Sequence, residues 1–302
     1  MIKNDSMDFL QKYRGYFFLI GAVLAYSSMP VLVRFLDDGD MPPAAQVFLR
    51  YIVSFSFAAG YFTLTRAKFN LKMQKLWLLV LMGVVGYGLT NLFFTYAMLK
   101  TEIGSGLFIY YSFGVIAPIL AYFFLGERFN KFNWIGIVLT VMGLFLLFRP
   151  NSFDTWRVGA LFALLTAVSQ SVYIIGRKKL PNYSSSLLMV CSTFLGILSV
   201  GLISLIMEND FYFGREGIVN ITAETWLLTI LFGFLNFTAW FLTNKGFEYA
   251  KVTTGSLVLL SENAFALMWG AVFFSELPTI YAIVGGICII AASVLVIVKG
   301  KK

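Results

Sequence analysis

The chain has 302 residues, of which 59% are hydrophobic, 18% aromatic and only 13% charged, and its mean hydropathy is +0.81. This composition excludes an ordinary soluble globular domain and predicts an all-α integral membrane protein. The formal net charge of +8 comes from Lys and Arg residues in short clusters between apolar stretches, so it indicates orientation in a membrane rather than nucleic acid as a partner.

Residue usage also argues against several kinds of site. The chain has no histidine and no clustered Cys, Asp and Glu residues, so a catalytic zinc or iron centre lacks its usual ligands and we expect no cofactor. Cys191 and Cys288 both lie in apolar stretches, which predicts packing residues and no disulfide framework. No Gly-x-x-x-x-Gly-Lys-Ser/Thr motif is present, so we expect no built-in ATP motor.

Ten apolar stretches follow one another along the chain, joined by short polar connections. Because about 20 apolar residues cross the hydrocarbon core of a bilayer as a helix, each stretch is a predicted transmembrane span. The first span is too long for the h-region of a signal peptide, and we expect it to be retained. The ten spans cover residues 15–36, 44–64, 76–99, 105–125, 133–148, 158–176, 187–207, 225–247, 255–275 and 279–298.

The positions of Lys and Arg predict the orientation of these spans. If the N-terminus is cytoplasmic, seventeen Lys and Arg residues fall on the cytoplasmic side and five on the other, with Arg50 left inside a span. Cytoplasmic loops of membrane proteins carry the excess of positive charge. We therefore predict a multi-pass protein of the cell membrane with both termini in the cytoplasm.

An internal repeat appears when residues 77–148 are moved by 149 positions onto residues 226–297. The match needs no gap, and it divides the chain into two five-helix halves, residues 1–150 and 151–302. Because five is odd, the halves insert with opposite topology, and inverted repeats of this kind underlie many secondary transporters. The matched pairs are Trp77 with Trp226, Gly106 with Gly255, Ser112 with Ser261, Glu127 with Glu276, and Gly136 with Gly285.

The chain resembles the drug/metabolite transporter superfamily, in particular bacterial EamA-type carriers. The resemblance rests on ten spans, two five-helix repeats, and Gly126-Glu127 closing the fourth span, which Ser275-Glu276 echoes at the end of the ninth. It implies a carrier of the inner or plasma membrane with a central cavity, built largely from spans 1, 3, 4, 6, 8 and 9. It also implies amino acids, amines or other small metabolites as substrates. Ser275 departs from the Gly-Glu pattern of the family.

The ninth span contains a carboxylate, Glu262, near its middle. An ionised Glu at the bilayer centre costs at least about 2.5 kcal/mol, so it must face protein or water, accept a hydrogen bond or stay protonated. One hypothesis is a proton-coupling group or the counter-charge of a cationic substrate. The alternative is a structural acid that a neighbour such as Arg50 neutralises.

Other polar and aromatic side chains inside the spans are candidates to line the cavity. They recur at spacings of three and four residues, which places them on one face of a helix. Amides in hydrocarbon need partners, so these side chains could equally join neighbouring helices, and many rings could face lipid. The substrate-binding candidates besides Glu262 are Asn236, Trp240, Asn91, Tyr87, Tyr26, Gln170, Tyr173, Tyr111 and Trp269.

Four further residues are predicted to act in gating. Glu127 and Glu276 lie at helix ends on opposite sides of the membrane, where they could bind loop amides or basic residues, or simply be solvated. Pro30 and Pro118 remove hydrogen bonds within their spans and are candidate hinges.

Together these features predict a secondary carrier that moves a small organic metabolite by alternating access, coupled to protons through Glu262. The expected partners are a small-molecule substrate, protons and the lipid bilayer, while import, export and a homodimer are left open. An integral-membrane enzyme is one alternative, but it would need paired carboxylates or a Ser/His constellation at one depth, and no second acid lies within a span. A channel or a non-transporting scaffold is the other alternative.

Overall fold

The computed structural model describes residues 2–69, 71, 73–100, 103–148, 157–214, 217–263, 265, 269, 272 and 279–299. Within these residues every regular element is a helix, and no strand is formed. Short 3₁₀ turns occupy Met73–Lys75 and Ile218–Asn220, and a π-helix occupies Met82–Leu89. The α-helices are α1 (Ile2–Tyr26), α2 (Met29–Asp38), α3 (Pro43–Leu64), α4 (Leu76–Leu81), α5 (Thr90–Lys100), α6 (Ile103–Tyr110), α7 (Phe113–Leu125), α8 (Lys131–Phe148), α9 (Arg157–Lys179), α10 (Ser185–Met207), α11 (Asn209–Phe213), α12 (Ala223–Tyr249), α13 (Val252–Leu259) and α14 (Ile280–Lys299).

The all-helical membrane character of the fold is confirmed. Seven helical segments of the described chain are long and apolar enough to cross a membrane, and two shorter apolar helices lie at Lys131–Leu146 and Ile283–Lys299. The predicted ninth span is described only in part, so the number ten stays a prediction. The seven segments are Tyr13–Asp38, Pro43–Leu64, Met73–Lys100, Gly106–Leu125, Val158–Lys179, Ser185–Met207 and Ala223–Tyr249.

The helix boundaries follow from local sequence signals. Proline opens α3 at Pro43, where its missing N–H would have no intrahelical partner. The hydroxyls of Ser184 and Thr222 accept backbone N–H groups of the first turns of α10 and α12 and so cap those helices. Gly126 ends α7 with a φ of 67°, a left-handed conformation that glycine adopts without strain.

Helices from the beginning of the chain pack against helices from its end. α1 lies along α12, α3 along α10 and α12, α5 along α9, and α8 along α14. Large apolar side chains on the outside of this bundle are exposed, including Trp77, Phe123 and Phe145. An apolar outer surface is what contact with lipid requires, because the bilayer core offers no water.

Three interruptions break helices in the middle of the bundle. Residues 27 and 28 separate α1 from α2, residues 111 and 112 separate α6 from α7, and residues 260 and 261 follow α13. Pro30 is the second residue of α2, and since it has no N–H it cannot donate to the carbonyl of Tyr26. Pro118 lies inside α7, one to two turns after the second interruption. Non-helical backbone at membrane depth is tolerated where it is buried in protein or lines a cavity.

Candidate functional site

A small cavity lies among the interrupted helices. Its volume is about 20 Å³, which is room for about one water molecule. The side chains around it come from α1, α2, α5, α6, α9, α12 and the segment after α13, so they lie far apart in sequence. They are Tyr26, Met29, Thr90, Asn91, Phe94, Tyr110, Thr166, Gln170, Trp240 and Glu262.

Glu262 is the acid of this cavity, and its side chain is 4% exposed. The hydroxyl of Tyr111 donates a hydrogen bond of 2.9 Å to its Oε1. Tyr111 lies in the interruption between α6 and α7, and Glu262 directly follows the interruption after α13. The hydrogen bond therefore joins two broken helices at the cavity. Arg50 does not neutralise Glu262 in this conformation, because both ion pairs between described residues involve Glu248.

Four aromatic rings form a cluster beside the acid. The ring of Trp240 lies 4.4 Å from that of Tyr173, 4.9 Å from that of Tyr87 and 5.9 Å from that of Tyr26, all edge to face. Such pairs are favourable beyond the area they bury. Trp240 and Tyr26 line the cavity, whereas Tyr87 and Tyr173 stand behind Trp240 and fix its position.

Two asparagines hold the tyrosines of this cluster in place. Asn236 Nδ2 donates to the Tyr87 hydroxyl at 2.7 Å, and Asn244 Nδ2 donates to the Tyr173 hydroxyl at 2.6 Å. Asn236 Nδ2 also lies 3.1 Å from Ser54 Oγ. These amide donors are therefore used within the protein, and in this conformation Asn236 joins helices instead of facing the cavity.

Several buried polar atoms near the cavity lack partners within the described part of the chain. Both amide atoms of Gln170 and the Nε1 of Trp240 accept or donate no hydrogen bond there. Both residues are 1% exposed and line the cavity. Buried polar groups are nearly always paired, so exceptions at a cavity wall suit a ligand that supplies the missing partner.

Part of the lining was not predicted from the sequence. Met29, Phe94 and Thr166 were not among the candidates, yet each lines the cavity. Thr166 lies one helical turn before Gln170, so the spacing of four residues could have identified it. Phe94 lies three residues after Asn91 in α5, so the helical period places these two residues on one face as well.

Trp269 lies near the first interruption of the helices. Its Nε1 donates to Ser27 Oγ at 2.9 Å, and Ser27 in turn donates to the carbonyl of Leu24. Ser27 is one of the two residues between α1 and α2. Trp269 thus contacts the break in the first span, and it does not belong to the side chains that line the cavity.

The predicted gating acid Glu127 binds the N-terminus of a helix. Its two carboxylate oxygens accept the N–H groups of Val252 and Thr253, at 3.0 and 2.9 Å, where α13 begins. Glu208, which was not predicted from the sequence, accepts the N–H groups of Ala44 and Ala45 at the start of α3, at 2.9 and 2.7 Å. A carboxylate suits the positive end of a helix dipole. Glu276 lies outside the described residues.

The site contains no evident metal ligands. No group of three or more His, Cys, Asp or Glu side chains that could hold a metal ion occurs within the described ranges. What the cavity offers instead is one carboxylate, aromatic rings and unpaired amide and indole groups, a set that recognises small organic molecules.

Comparison with known proteins identifies the family. The model of the EamA-like transporter family matches two segments of the chain, residues 13–149 and 157–298. The pseudopaline exporter CntI of Pseudomonas aeruginosa is 24% identical over 280 residues, covering 93% of this chain and 94% of the relative. The S-adenosylmethionine uptake transporter of Rickettsia felis is 24% identical over 300 residues, covering 99% and 97%.

A solved crystal structure shares the fold. It superposes with a TM-score of 0.79 at 15% sequence identity and covers 96% of this chain and 99% of the other. The family model and the two named transporters confirm the resemblance to the drug/metabolite transporter superfamily and the expectation that the protein is not an enzyme. Since the family model matches most of its length, the chain belongs to the EamA-like transporter family.

Proposed function

We propose that this protein is a secondary active transporter that moves a small organic metabolite across the cytoplasmic membrane by alternating access, coupled to protons through Glu262. The observation that carries the proposal is the position of Glu262, which is buried on the wall of the central cavity between two broken helices. Buried acids within membrane spans mark substrate pathways and proton relays. The relatives named for pseudopaline export and S-adenosylmethionine uptake support a metabolite as substrate and leave the direction of transport open.

The broken helices support alternating access. The three interruptions and the π-helix bring residues Tyr26, Tyr87, Tyr111 and Glu262 to or beside the cavity. Discontinuous helices around a midplane site are typical of transporters that rock one half against the other. The cavity of about 20 Å³ is too small for a metabolite, so substrate must enter a more open conformation than this one.

We also propose that residues 1–150 and 151–302 are the two inverted halves that rock, with both termini in the cytoplasm. The interruptions at residues 111–112 and 260–261 lie 149 positions apart, which is the offset of the repeat. At both interruptions the backbone forms tight turns, in which an N–H donates to the carbonyl of the third residue before it. The bonds at the same offset are Ser112 to Ile109 with Ser261 to Val258, and Gly114 to Tyr111 with Asn263 to Leu260.

A pair of residues at the repeat offset is also in direct contact. Asn236 donates to the hydroxyl of Tyr87, and the two residues are 149 positions apart. Two positions related by a two-fold axis can touch only if they lie beside that axis. The contact therefore supports an axis of pseudo-symmetry that passes next to the aromatic cluster, where the substrate of an inverted-repeat transporter binds.

The test is transport by purified protein in proteoliposomes. Amino acids, amines, nucleobases and sugars are screened for thermal stabilisation, and the binders are assayed for uptake with and without a pH gradient. We expect saturable uptake that the gradient accelerates, and a Glu262→Gln variant whose remaining uptake no longer responds to the gradient. The matched control is Glu224→Gln, the same change at an exposed position. Normal gradient dependence in Glu262→Gln would disprove the coupling role, and flux that does not saturate would favour a channel.

A further inference from the structure

Arg50 is a buried cation without an ionic partner among the residues that the structure describes. It lies about two turns after the start of α3 and is 1% exposed. Its Nη2 donates to the carbonyl and the Oδ1 of Asn91 at 3.4 and 3.2 Å, whereas Nε and Nη1 have no hydrogen-bond partner within the described residues. No carboxylate of those residues pairs with it, since the ion pairs between described residues involve Glu248 alone among the acids.

Folding stability does not explain this residue. Burying an unpaired ion is costly, and an apolar side chain of similar volume is often as stable or more stable. The ring of Phe232, 4.3 Å from the guanidinium carbon, is the main compensation and does not satisfy the free N–H groups. A guanidinium has five donors in a planar fork that matches a carboxylate. An anion from outside the chain would therefore satisfy the N–H groups of Arg50 that have no partner among the described residues.

Asn91 connects Arg50 to the central cavity. Asn91 lines the cavity, and its side chain accepts the bond from Arg50, so the guanidinium lies one side chain behind the cavity wall. The bonds of 3.2 and 3.4 Å are longer than the about 2.7–2.9 Å of strong charge-assisted hydrogen bonds. A carboxylate that reached Arg50 would make shorter and bidentate contacts, and Asn91 could rotate away.

The other groups of the cavity complement the rest of such a ligand. Glu262 offers a negative charge beside aromatic rings, which suits an ammonium group. Trp240 Nε1 and the amide of Gln170 have no partner among the described residues, line the same cavity and can bind polar atoms of the ligand. A purely cationic ligand would leave Arg50 unpaired, and a purely anionic ligand would face Glu262. A ligand with both charges satisfies each group.

We propose that Arg50 is the anion-binding group of the transport site and takes the carboxylate of a zwitterionic metabolite whose ammonium group faces Glu262. The proposal rests on the proposed function, because it assigns a substrate class to the same cavity. It makes Arg50 a specificity-determining residue that separates an amino acid from its ester and from the corresponding amine.

The test uses purified full-length protein in lipid nanodiscs. The twenty protein L-amino acids are screened for binding, and each binder is compared with its methyl ester and its decarboxylated amine. We expect the wild type to bind the acid at least about tenfold more tightly than the ester, as hydrogen bonds to a charged group allow. Arg50→Met should abolish this preference and leave the affinity for the amine within about twofold, which also shows that the variant is folded. Arg50→Lys should keep part of the preference, and Arg177→Lys, a change at the other buried arginine, should keep all of it.

Four results would overturn this proposal and leave the proposed transporter function intact. The wild type could bind acid and ester equally, or the Arg50→Met variant could keep the preference for the acid. The Arg50→Met variant could also bind acid and amine more weakly by the same factor, which would mean that Arg50 acts on Glu262 and does not contact the substrate. A wild type that transports an amine in response to the pH gradient but binds no amino acid would also disprove the role of Arg50, while the proposed transporter function would stand. A wild type that binds nothing and shows no saturable flux would overturn both this proposal and the proposed function.

Discussion

Arg50 and Arg177 are both 1% exposed, yet the protein treats their charges differently. Arg177 lies near the end of α9, where Nε donates to the carbonyl of Asn244 at 3.0 Å and Nη1 to that of Leu180 at 3.1 Å. Its Nη2 lies 3.4 Å from the carboxylate of Glu248. Arg50 lies within a span and has only Asn91 as a hydrogen-bond partner within the described chain. The exposed fraction alone therefore does not distinguish a buried charge with a structural role from one that binds a ligand.

The partners of the two arginines distinguish a structural role from a binding role. The carbonyls that Arg177 binds belong to the last turns of helices or follow them, where positive charge is favoured. Two carbonyls and the carboxylate of Glu248 therefore satisfy most of the donors of Arg177, and no ligand is needed. The Nε and Nη1 groups of Arg50 have no partner among the described residues, so a ligand is needed to satisfy them. Substitutions at these residues and at the other buried acids and their partners test this difference.

Removal of Arg177 should cost the most stability. In Arg177→Met, Glu248 loses its buried partner and two carbonyls lose their donors, so we expect the free energy of unfolding to fall by about 2–4 kcal/mol. Water reaches Glu248, which is 31% exposed, and this keeps the loss below that of a fully buried pair. Chemical unfolding of the purified protein measures the change. Lys245→Met is the control, because Lys245 also lies 3.4 Å from Glu248 but is 27% exposed, and we expect less than about 0.5 kcal/mol. Equal losses in both variants would contradict the structural role of Arg177.

Removal of the Tyr111 hydroxyl should have the next largest effect. Glu262 is a buried acid without an ionic partner in the described chain, and Tyr111 supplies its hydrogen bond. We expect Tyr111→Phe to reduce the free energy of unfolding by about 2 kcal/mol, since an acceptor stays buried without its donor. Tyr110→Phe removes the neighbouring hydroxyl at the same cavity and should cost less. If the two variants are equally stable, Glu262 does not depend on Tyr111.

The helix-end acids should contribute less. Glu127 accepts two N–H groups at the start of α13, so we expect Glu127→Ala to cost about 1 kcal/mol, as loss of a helix cap does. Glu208→Ala is the matched variant, because Glu208 makes the same pair of bonds to α3. Thermal unfolding of both variants measures the effect. A loss in one variant and none in the other would show that the shared geometry does not carry a shared stability.

The sequence predicted the class of fold and several cavity residues for a clear reason. The length of an apolar run reflects the thickness of the hydrocarbon core, so spans can be recognised directly. A polar side chain within such a run is rare and costly, which is why Glu262, Gln170, Asn91 and Trp240 could be selected from the sequence alone. Ten helices and their inverted arrangement stay predictions.

Pairing between distant segments could not be predicted. Asn236 was a substrate candidate, but its donor binds Tyr87 across the bundle. Glu208 accepts the N–H of Ala44, which lies 164 residues earlier in the chain. Arg50 was only a candidate neutraliser of Glu262, because a sequence does not say which charges meet. These contacts depend on how the helices pack, and the packing of distant segments cannot be read from a single sequence.

The smallest effect on stability should come from Arg50 itself. Arg50→Met removes a buried charge that lacks an ionic partner in the described chain, so the lost stacking on Phe232 is offset by the desolvation that is no longer required. We expect the free energy of unfolding to change by less than about 1 kcal/mol or to increase. Chemical unfolding without ligand measures this, side by side with Arg177→Met. A large loss in Arg50→Met would mean that the protein already balances this charge, and the distinction between the two arginines would disappear. A stable variant that has lost its preference for acids over esters would show that Arg50 is kept for binding at the expense of stability.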